Sequence, residues 1–302
     1  MVHIFLLDPY TGSEFNTARL RSVLSGVDDI EYYVFTLISD WVRSDYISRI
    51  QEIFDEDQIR FYVCGSSDTL NSFINAVSDL SQVEIAYIPA SSNDSFLQIF
   101  GEKYSYFTDF DRMIHGNAVP IDYIETNHGR AMNIVSLGYT LGFYSGSFLS
   151  RHKSIDLLFS RAVFLLSRML GATRFGAQII ADTHHMDGNV SSIYFGNGCS
   201  QGGNLFFEEE PVIIDGRGTV GYRKSEGLVK SLRYYIHLRN KDFAELKKDT
   251  NSFLATSMKV AVKRNKKITG YLDGIPVAED SQWEIRMVRE GLRFVLPRGV
   301  IL

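Results

Sequence analysis

The most constraining stretch of the chain is Arg60 to Val77, RFYVCGSSDTLNSFINAV, where a strand pattern passes through a small-residue turn into an amphipathic helix pattern. Arg60 to Cys64 reads as a central strand, while Leu70, Phe73, Ile74 and Val77 recur at helical spacing. Between them, Gly65, Ser66, Ser67 and Asp68 leave backbone N–H groups uncovered, with Thr69 placed to cap the helix. A helix start of this kind has unpaired donors and a partial positive charge, which suits an anion. The same residues also suit an ordinary strand-to-helix turn.

From residue 1 to about 100, strand and helix patterns alternate with short connections, as in a parallel sheet covered on both faces. Val2 to Leu7 reads as the first strand, followed by Asp8-Pro9-Tyr10-Thr11-Gly12 and a helix through Leu20, Val23 and Leu24. Tyr32 to Ile38 is the second strand, and Asp40 caps a helix with Ile47, Ile50, Ile53 and Phe54 on one face. Val83 to Ile88 is the fourth strand. It runs into Pro89-Ala90-Ser91-Ser92-Asn93-Asp94 and a short helix with Phe96, Leu97 and Phe100. Three polar turns thus follow three strands at their carboxyl ends, the edge where open parallel sheets bind ligands.

After about Ile121 the pattern becomes all-β, with strands at Ala131 to Leu137, Phe175 to Asp182, Ser191 to Phe195, Val212 to Ile214, Ser257 to Val262 and Lys267 to Leu272. Helices are inserted at Ser154 to Leu170 and Glu226 to His237, and Asp187-Gly188 and Asn265-Lys266 read as hairpin tips. Gly291 to Pro297 is a last strand. The expected division is an α/β domain over 1–121, a β domain over 122–290, and a C-terminal strand over 291–302 that returns to the first domain.

A chain of 302 residues, 45% hydrophobic, can bury cores in two such domains. Its net charge of −5 argues against nucleic-acid binding, yet a small anion can still be held locally. Cys64 and Cys199 form neither a disulfide framework nor a zinc spacing, which fits a reduced, cytoplasmic setting. The opening MVHIFLLDPY suits a buried strand better than a signal peptide. Arg161 and Arg168 interrupt the apolar stretch Leu157 to Leu170, which falls short of the ~20 residues of a membrane span. His184-His185 reads as a solvated tip. The basic run Lys259, Lys263, Arg264, Lys266 and Lys267 reads either as a solvated hairpin or as a contact for anionic headgroups.

Taken together, the turns resemble those of the bacterial diacylglycerol kinase and lipid kinase family, which includes sphingosine kinases and is distantly similar to NAD kinases and phosphofructokinases. The family opens with a strand and N-P-x-S-G, similar to Asp8-Pro9-Tyr10-Thr11-Gly12. Its G-G-D-G-T-L-N hallmark falls without a gap on Gly65 to Asn71, and its P-x-G-T-x-N-D loop on Pro89 to Asp94, one residue shorter here. Asn197-Gly198, Gly202-Gly203, Pro211 and Asp215-Gly216 follow the order of its second domain, and Asp273-Gly274-Ile275 matches its D-G-E turn. The resemblance implies a Rossmann-like three-layer α/β domain, a larger β-sandwich and an active site in the cleft between them. It also implies transfer of the ATP γ-phosphoryl to a lipid hydroxyl, with Mg²⁺ held by carboxylates. A lipid or lipid-like partner, peripheral contact with the inner membrane face and no nucleic acid follow from it; a homodimer stays open.

By that resemblance the nucleotide would meet Asp8, Gly12, Gly65, Ser66, Ser67, Asp68, Thr69, Ser91, Ser92, Asn93 and Asp94, and the metal would meet Asp94 and Asp215. Several of these depart from the pattern. Ser66, Ser67 and Asp68 replace Gly, Asp and Gly, and the added carboxylate would repel a phosphate by about 4 kcal/mol at ~4 Å and an effective dielectric of ~20. A one-residue slip would let Asp68 stand in for the missing aspartate. Ile275 occupies the general-base position and cannot accept a proton. Asp94 also reads as a helix cap and Asp215 as a turn residue. The expectation is a lipid kinase relative with eroded phosphotransfer machinery; the alternative is an active, atypical lipid kinase using Asp68 or Asp94 with Mg²⁺.

Overall fold

The computed structural model describes residues 1–8, 17–26, 30–37, 44–54, 58–91, 94–138, 175–201, 205–224 and 228–302. Pro9, Tyr10, Thr11 and Gly12, Asp40, Ser92, Asn93, the Ser154 to Leu170 stretch and Gly202-Gly203 lie outside them. The chain divides into two units, Met1–Asp122 with Glu290–Leu302, and Tyr123–Arg289.

The first unit alternates β1 (Val2–Leu7), α1 (Thr17–Leu24), β2 (Glu31–Thr36), α2 (Ser44–Ile53), β3 (Ile59–Gly65), α3 (Ser67–Ala76) and β4 (Val83–Pro89). A 3₁₀ segment (Leu97–Thr108), α4 (Phe110–Ile114) and the start of β5 (Asn117–Thr126) follow. The strands pair in parallel in the order β4-β3-β1-β2. Every residue of β1, β3 and β4 is buried, as a parallel strand covered on both faces requires. β2 forms the outer edge and is largely exposed. At the opposite side Arg293 and Phe294 pair in parallel with Glu84 and Ile85.

The helix patterns behave as their spacing dictates. Leu70, Phe73, Ile74 and Val77 are all buried, and Phe73 packs its ring 5.1 Å from that of Phe61. On α2, Ile47 and Ile50 are buried but Ile53 is 72% exposed. Ile53 lies six residues beyond Ile47, roughly 120° round the helix, so it leaves the stripe on which Phe54 falls.

An ion network that the sequence did not announce ties the starts of β3 and β4. The Arg60 guanidinium donates to Glu84 Oε2 at 2.7 and 2.8 Å and to the carbonyls of Ile114 and Gly116. Arg293 and Gln58 donate to Glu84 Oε1. Burial pushes the Glu84 carboxyl up, but the hydrogen bonds from Arg293 and Arg60 outweigh it and hold the group below the usual range.

The second unit takes up the end of β5 and runs through β6 (Gly129–Ala131), β7 (Ile134–Gly138), β8 (Phe175–Ala181), β9 (His184–Gly196), β10 (Ser200–Gln201), β11 (Leu205–Phe206) and β12 (Gly218–Lys224). Then come α5 (Leu228–Asn240), α6 (Phe243–Asp249), β13 (Asn251–Ala255), β14 (Ser257–Val262), β15 (Ile268–Leu272), β16 (Ile275–Asp280) and the first part of β17 (Gln282–Leu296). The strands pair antiparallel in the order β16-β15-β7-β9-β8-β14-β17. The long β9 pairs its first half with β8 and its second half with β7 and β12. Trp283, Phe175 and Phe195 anchor the core, and Gly270 is there for space, since a Cβ would sit 1.9 Å from the Trp283 ring.

Four sequence expectations change here. Ala131 to Leu137 is two strands, broken at Met132-Asn133. Val212 to Ile214 forms no strand, and both terminal residues are exposed. The β8–β9 tip is Asp182-Thr183, with Asp187-Gly188 inside β9; Asp182 takes positive φ and its carboxylate accepts from Thr256 and Ser257 N–H. Asn265-Lys266 belongs to a turn joining β14 to β15, which are not neighbours, so it is no hairpin tip. His184 and His185 are exposed beside the true tip, with His184 stacked on Phe253.

Candidate functional site

The carboxyl ends of β1, β3 and β4 bring together Asp8, the Gly65 to Thr69 turn, Ser91 and Asp94. Parallel pairing does this directly, because Leu7 registers with Cys64, and Gly65 with Pro89. Two backbone bonds continue the ladders into the turns, Asp8 N–H to Cys64 O and Ala90 N–H to Gly65 O.

The turn is closed by its own side chains. Ser66, not Thr69, is the N-cap of α3, and the two form a reciprocal capping box. Ser66 Oγ accepts from Thr69 N–H at 3.3 Å, and Thr69 Oγ1 accepts from Ser66 N–H at 3.1 Å. Thr69 Oγ1 in turn donates to Asp8 Oδ2 at 2.6 Å. Because that uses the only Thr69 hydroxyl proton, Ser66 Oγ is the donor in its 3.1 Å contact with Thr69 Oγ1. Gly65 is required by this arrangement, since a Cβ there would meet Thr69 Oγ1 at 2.6 Å. The cap sits three residues earlier than expected because Thr69 satisfies the criterion for a cap and for position N3 of a box alike.

Asp94 is buried at the end of the neighbouring turn. Its Oδ1 accepts from the N–H groups of Phe96 and Leu97, and its Oδ2 from Tyr87 Oη at 2.7 Å. Tyr87 Oη also lies 3.3 Å from Gly65 O, so one phenol spans both turns. Burial, and then the Asp94 charge, raise the Tyr87 pKa well above its ordinary value. Tyr104 completes the set, accepting from Asp94 N–H and donating to Ser91 O. Asp68 lies in the first turn of α3, where its charge complements the positive helix end that a phosphate would otherwise meet.

In the second unit two further turns converge on Met132-Asn133. Asp273-Gly274 is the two-residue turn between β15 and β16, both residues at positive φ as a type I′ turn demands. The Asp273 carboxylate accepts from the N–H groups of Met132, Asn133 and Ile134. Asn197 and Gly198 N–H both donate to Asn133 O, and Asn197 Nδ2 donates to Met132 O. Gly198 has no room for a Cβ, which would lie 2.0 Å from Asn133 Oδ1. Neither Met132 nor Asn133 carried any sequence signal beyond lying in a strand-like run. Ile275 opens β16 opposite Leu272. Asp215 stands apart from this cluster in an exposed turn, where Arg217 donates to it from both backbone and side chain. Among the described residues, no group of three His, Cys, Asp or Glu is arranged to hold a metal ion.

No family model matches the sequence. A protein of Shewanella frigidimarina described as a probable lipid kinase YegS-like is 23% identical over 234 residues, which is 74% of this chain and 73% of that protein. The crystal structure of a putative diacylglycerol kinase from Bacillus anthracis superimposes with a TM-score of 0.73 at 16% identity, covering 99% of this chain and 96% of that one. The chain has the diacylglycerol kinase fold. The turns at Gly65, Asn197 and Asp273 lie at strand ends and strand connections. An NAD kinase from Archaeoglobus fulgidus, in complex with ATP, matches at a TM-score of 0.50 and 8% identity, covering 99% of this chain and 94% of that one.

Proposed function

We propose that this chain is a lipid kinase relative that has lost efficient phosphotransfer and acts as a lipid- or nucleotide-binding, regulatory homologue. The observation that carries the reading is the Ser66–Thr69 capping box. Two of the N–H donors at the start of α3 are spent on side chains of the turn itself, and Asp68 supplies negative charge beside them. The residues present are therefore a poor fit for a polyphosphate, which weakens binding of ATP and Mg²⁺, the family's cofactors. Asp94 acts as a buried anchor between turns, and Asp215 as a turn residue. Ile275 deprives the second unit of the carboxylate expected to accept the hydroxyl proton, a loss that typically costs 10²–10⁴-fold in rate. A lipid alcohol remains the ligand class, in keeping with the relative named as a probable lipid kinase. Among the described residues no helix is long and apolar enough to cross a membrane, so lipid would be met at a surface or as a monomer.

Radiolabelled ATP transfer to diacylglycerol and sphingosine in mixed micelles tests this, with no turnover above background expected. Turnover abolished by Asp68→Ala would overturn the reading in favour of an active, Mg²⁺-assisted kinase; the part-exposed place of Asp68 at the helix start is what favours that alternative. Calorimetry supplies the converse. Replacing Ser66→Gly, Ser67→Asp and Asp68→Gly together with Ile275→Glu is expected to tighten ATP–Mg²⁺ binding about tenfold or more, equivalent to ~1.4 kcal/mol.

A further inference from the structure

In the second unit β9 lies between β7 and β12, and their register sorts the side chains onto two faces. Val135, Leu137, Ile193, Phe195 and Val220 belong to the hydrophobic core. The opposite face carries Ser136, Ser192 and Arg223, with Ser136 level with Tyr194 and Ser192 level with Arg223. Gly196 and Gly221 fall on it too. A Cβ at Gly196 would meet the Phe207 ring at 2.5 Å, and one at Gly221 the Tyr194 ring at 2.1 Å, so both glycines make room for aromatic rings against the sheet. Tyr234 and Leu238 of α5 close over this face and leave a half-open cavity of about 450 Å³, with Ile134 and Leu205 also among its apolar walls.

A covered sheet face is ordinarily apolar, so a buried arginine on it is the informative residue. Arg223 is 2% exposed, and its guanidinium lies 3.9 Å from the centroid of the Tyr234 ring. The residue takes part in further interactions, yet its buried Nε–H has no hydrogen-bond acceptor in the protein. A charged donor in that state is costly unless an acceptor reaches it. We propose that this cavity binds a small monocarboxylate with a short apolar body. The carboxylate accepts from Arg223 Nε–H, and the apolar body lies against Ile134, Leu205 and Leu238. A carboxylate matches the edge of a guanidinium and makes a charge-assisted bond, which a neutral alcohol cannot do. Ser136 Oγ accepts from Gln201 Nε2 at 3.2 Å, which leaves its own O–H as a second donor in the same cavity. The inference is independent of the lipid kinase reading, and it calls for an acid where that reading calls for an alcohol.

Isothermal titration calorimetry of the full chain with hexanoate, hexan-1-ol and hexylamine, which share one apolar body, tests it. Hexanoate is expected to bind about tenfold or more tighter than either of the others. Arg223→Lys keeps the charge but loses the planar fork, and should weaken hexanoate about tenfold or more. If that variant fails to fold, Ser192→Phe decides. It fills the cavity from a partly exposed position level with Arg223, and should abolish hexanoate binding. Hexan-1-ol binding as tightly as hexanoate overturns the inference and makes the cavity a site for a lipid alcohol, in keeping with the functional reading. A preference for hexylamine, no binding of any of the three, or hexanoate binding indifferent to both substitutions overturns it as well, and none of these bears on ATP transfer.

Discussion

Thr69→Val isolates the polar chemistry of the Gly65 turn, because valine keeps the shape that fills the space beside Gly65 and removes only the hydroxyl. Thr69 is 5% exposed, so water does not replace what is lost. The 2.6 Å bond to Asp8 is charge-assisted and contributes about 1.5–3 kcal/mol; the Ser66 N–H bond contributes about 0.5–1.5 kcal/mol. Their sum predicts a loss of roughly 2–4 kcal/mol, a large share of a typical domain's stability. Urea unfolding read by linear extrapolation measures it. A double-mutant cycle with Asp8→Asn then separates the Asp8 bond from the cap, with a coupling of about 1–2 kcal/mol expected. A loss under ~0.5 kcal/mol, or strict additivity with Asp8→Asn, would refute the closed-turn argument on which the functional reading rests.

Three further outcomes follow from the same geometry. Gly65→Ala should cost about 1–3 kcal/mol through its clash with the Thr69 side chain, and combining it with Thr69→Ser, which removes a contacting methyl group, should recover part of the loss in thermal or urea melts. Tyr87→Phe removes the buried donor to Asp94 and should destabilise by about 1–3 kcal/mol, with faster amide exchange around residues 94–97 as the local readout. Burial, and then the Arg60 charge, lower the His3 pKa to about 4, while an unfolded histidine titrates near ~6.5. The unfolded state thus binds the extra proton between these values, so stability is full above ~6.5 and falls as pH drops toward ~4. His3→Gln should flatten that part of the pH–stability curve measured by urea titration.

The alternation of β1, β3 and β4 with their helices was legible because buried parallel strands are short apolar runs, and α3 writes its inward face at i, i+3, i+4 and i+7. The strand ends that lead into the Gly65 and Pro89 turns were legible for the same reason, since apolar patterning marks each of them. The second unit was less so. Asp187-Gly188 and Asp182-Thr183 are both acceptable turn dipeptides, and only strand pairing decides which one becomes the tip. Val212 to Ile214 has an apolar pattern but, among the described residues, no partner strand, and an apolar pattern alone makes no ladder.

The chain by itself determined the α/β-then-β order and the family resemblance of its turns, since both depend on local residue patterns. Tertiary structure alone decided how those turns are used. Thr69 reaches Asp8 across 61 positions of sequence, Asp273 holds Met132-Asn133 across about 140, and Arg60, Glu84 and Arg293 meet only because parallel pairing aligns their strands. Hydrogen bonds and ion pairs of that kind depend on register, which forms as the sheet assembles. So the Gly65 turn, whose sequence suggests open donors at a helix start, is in the folded protein a turn closed by its own side chains.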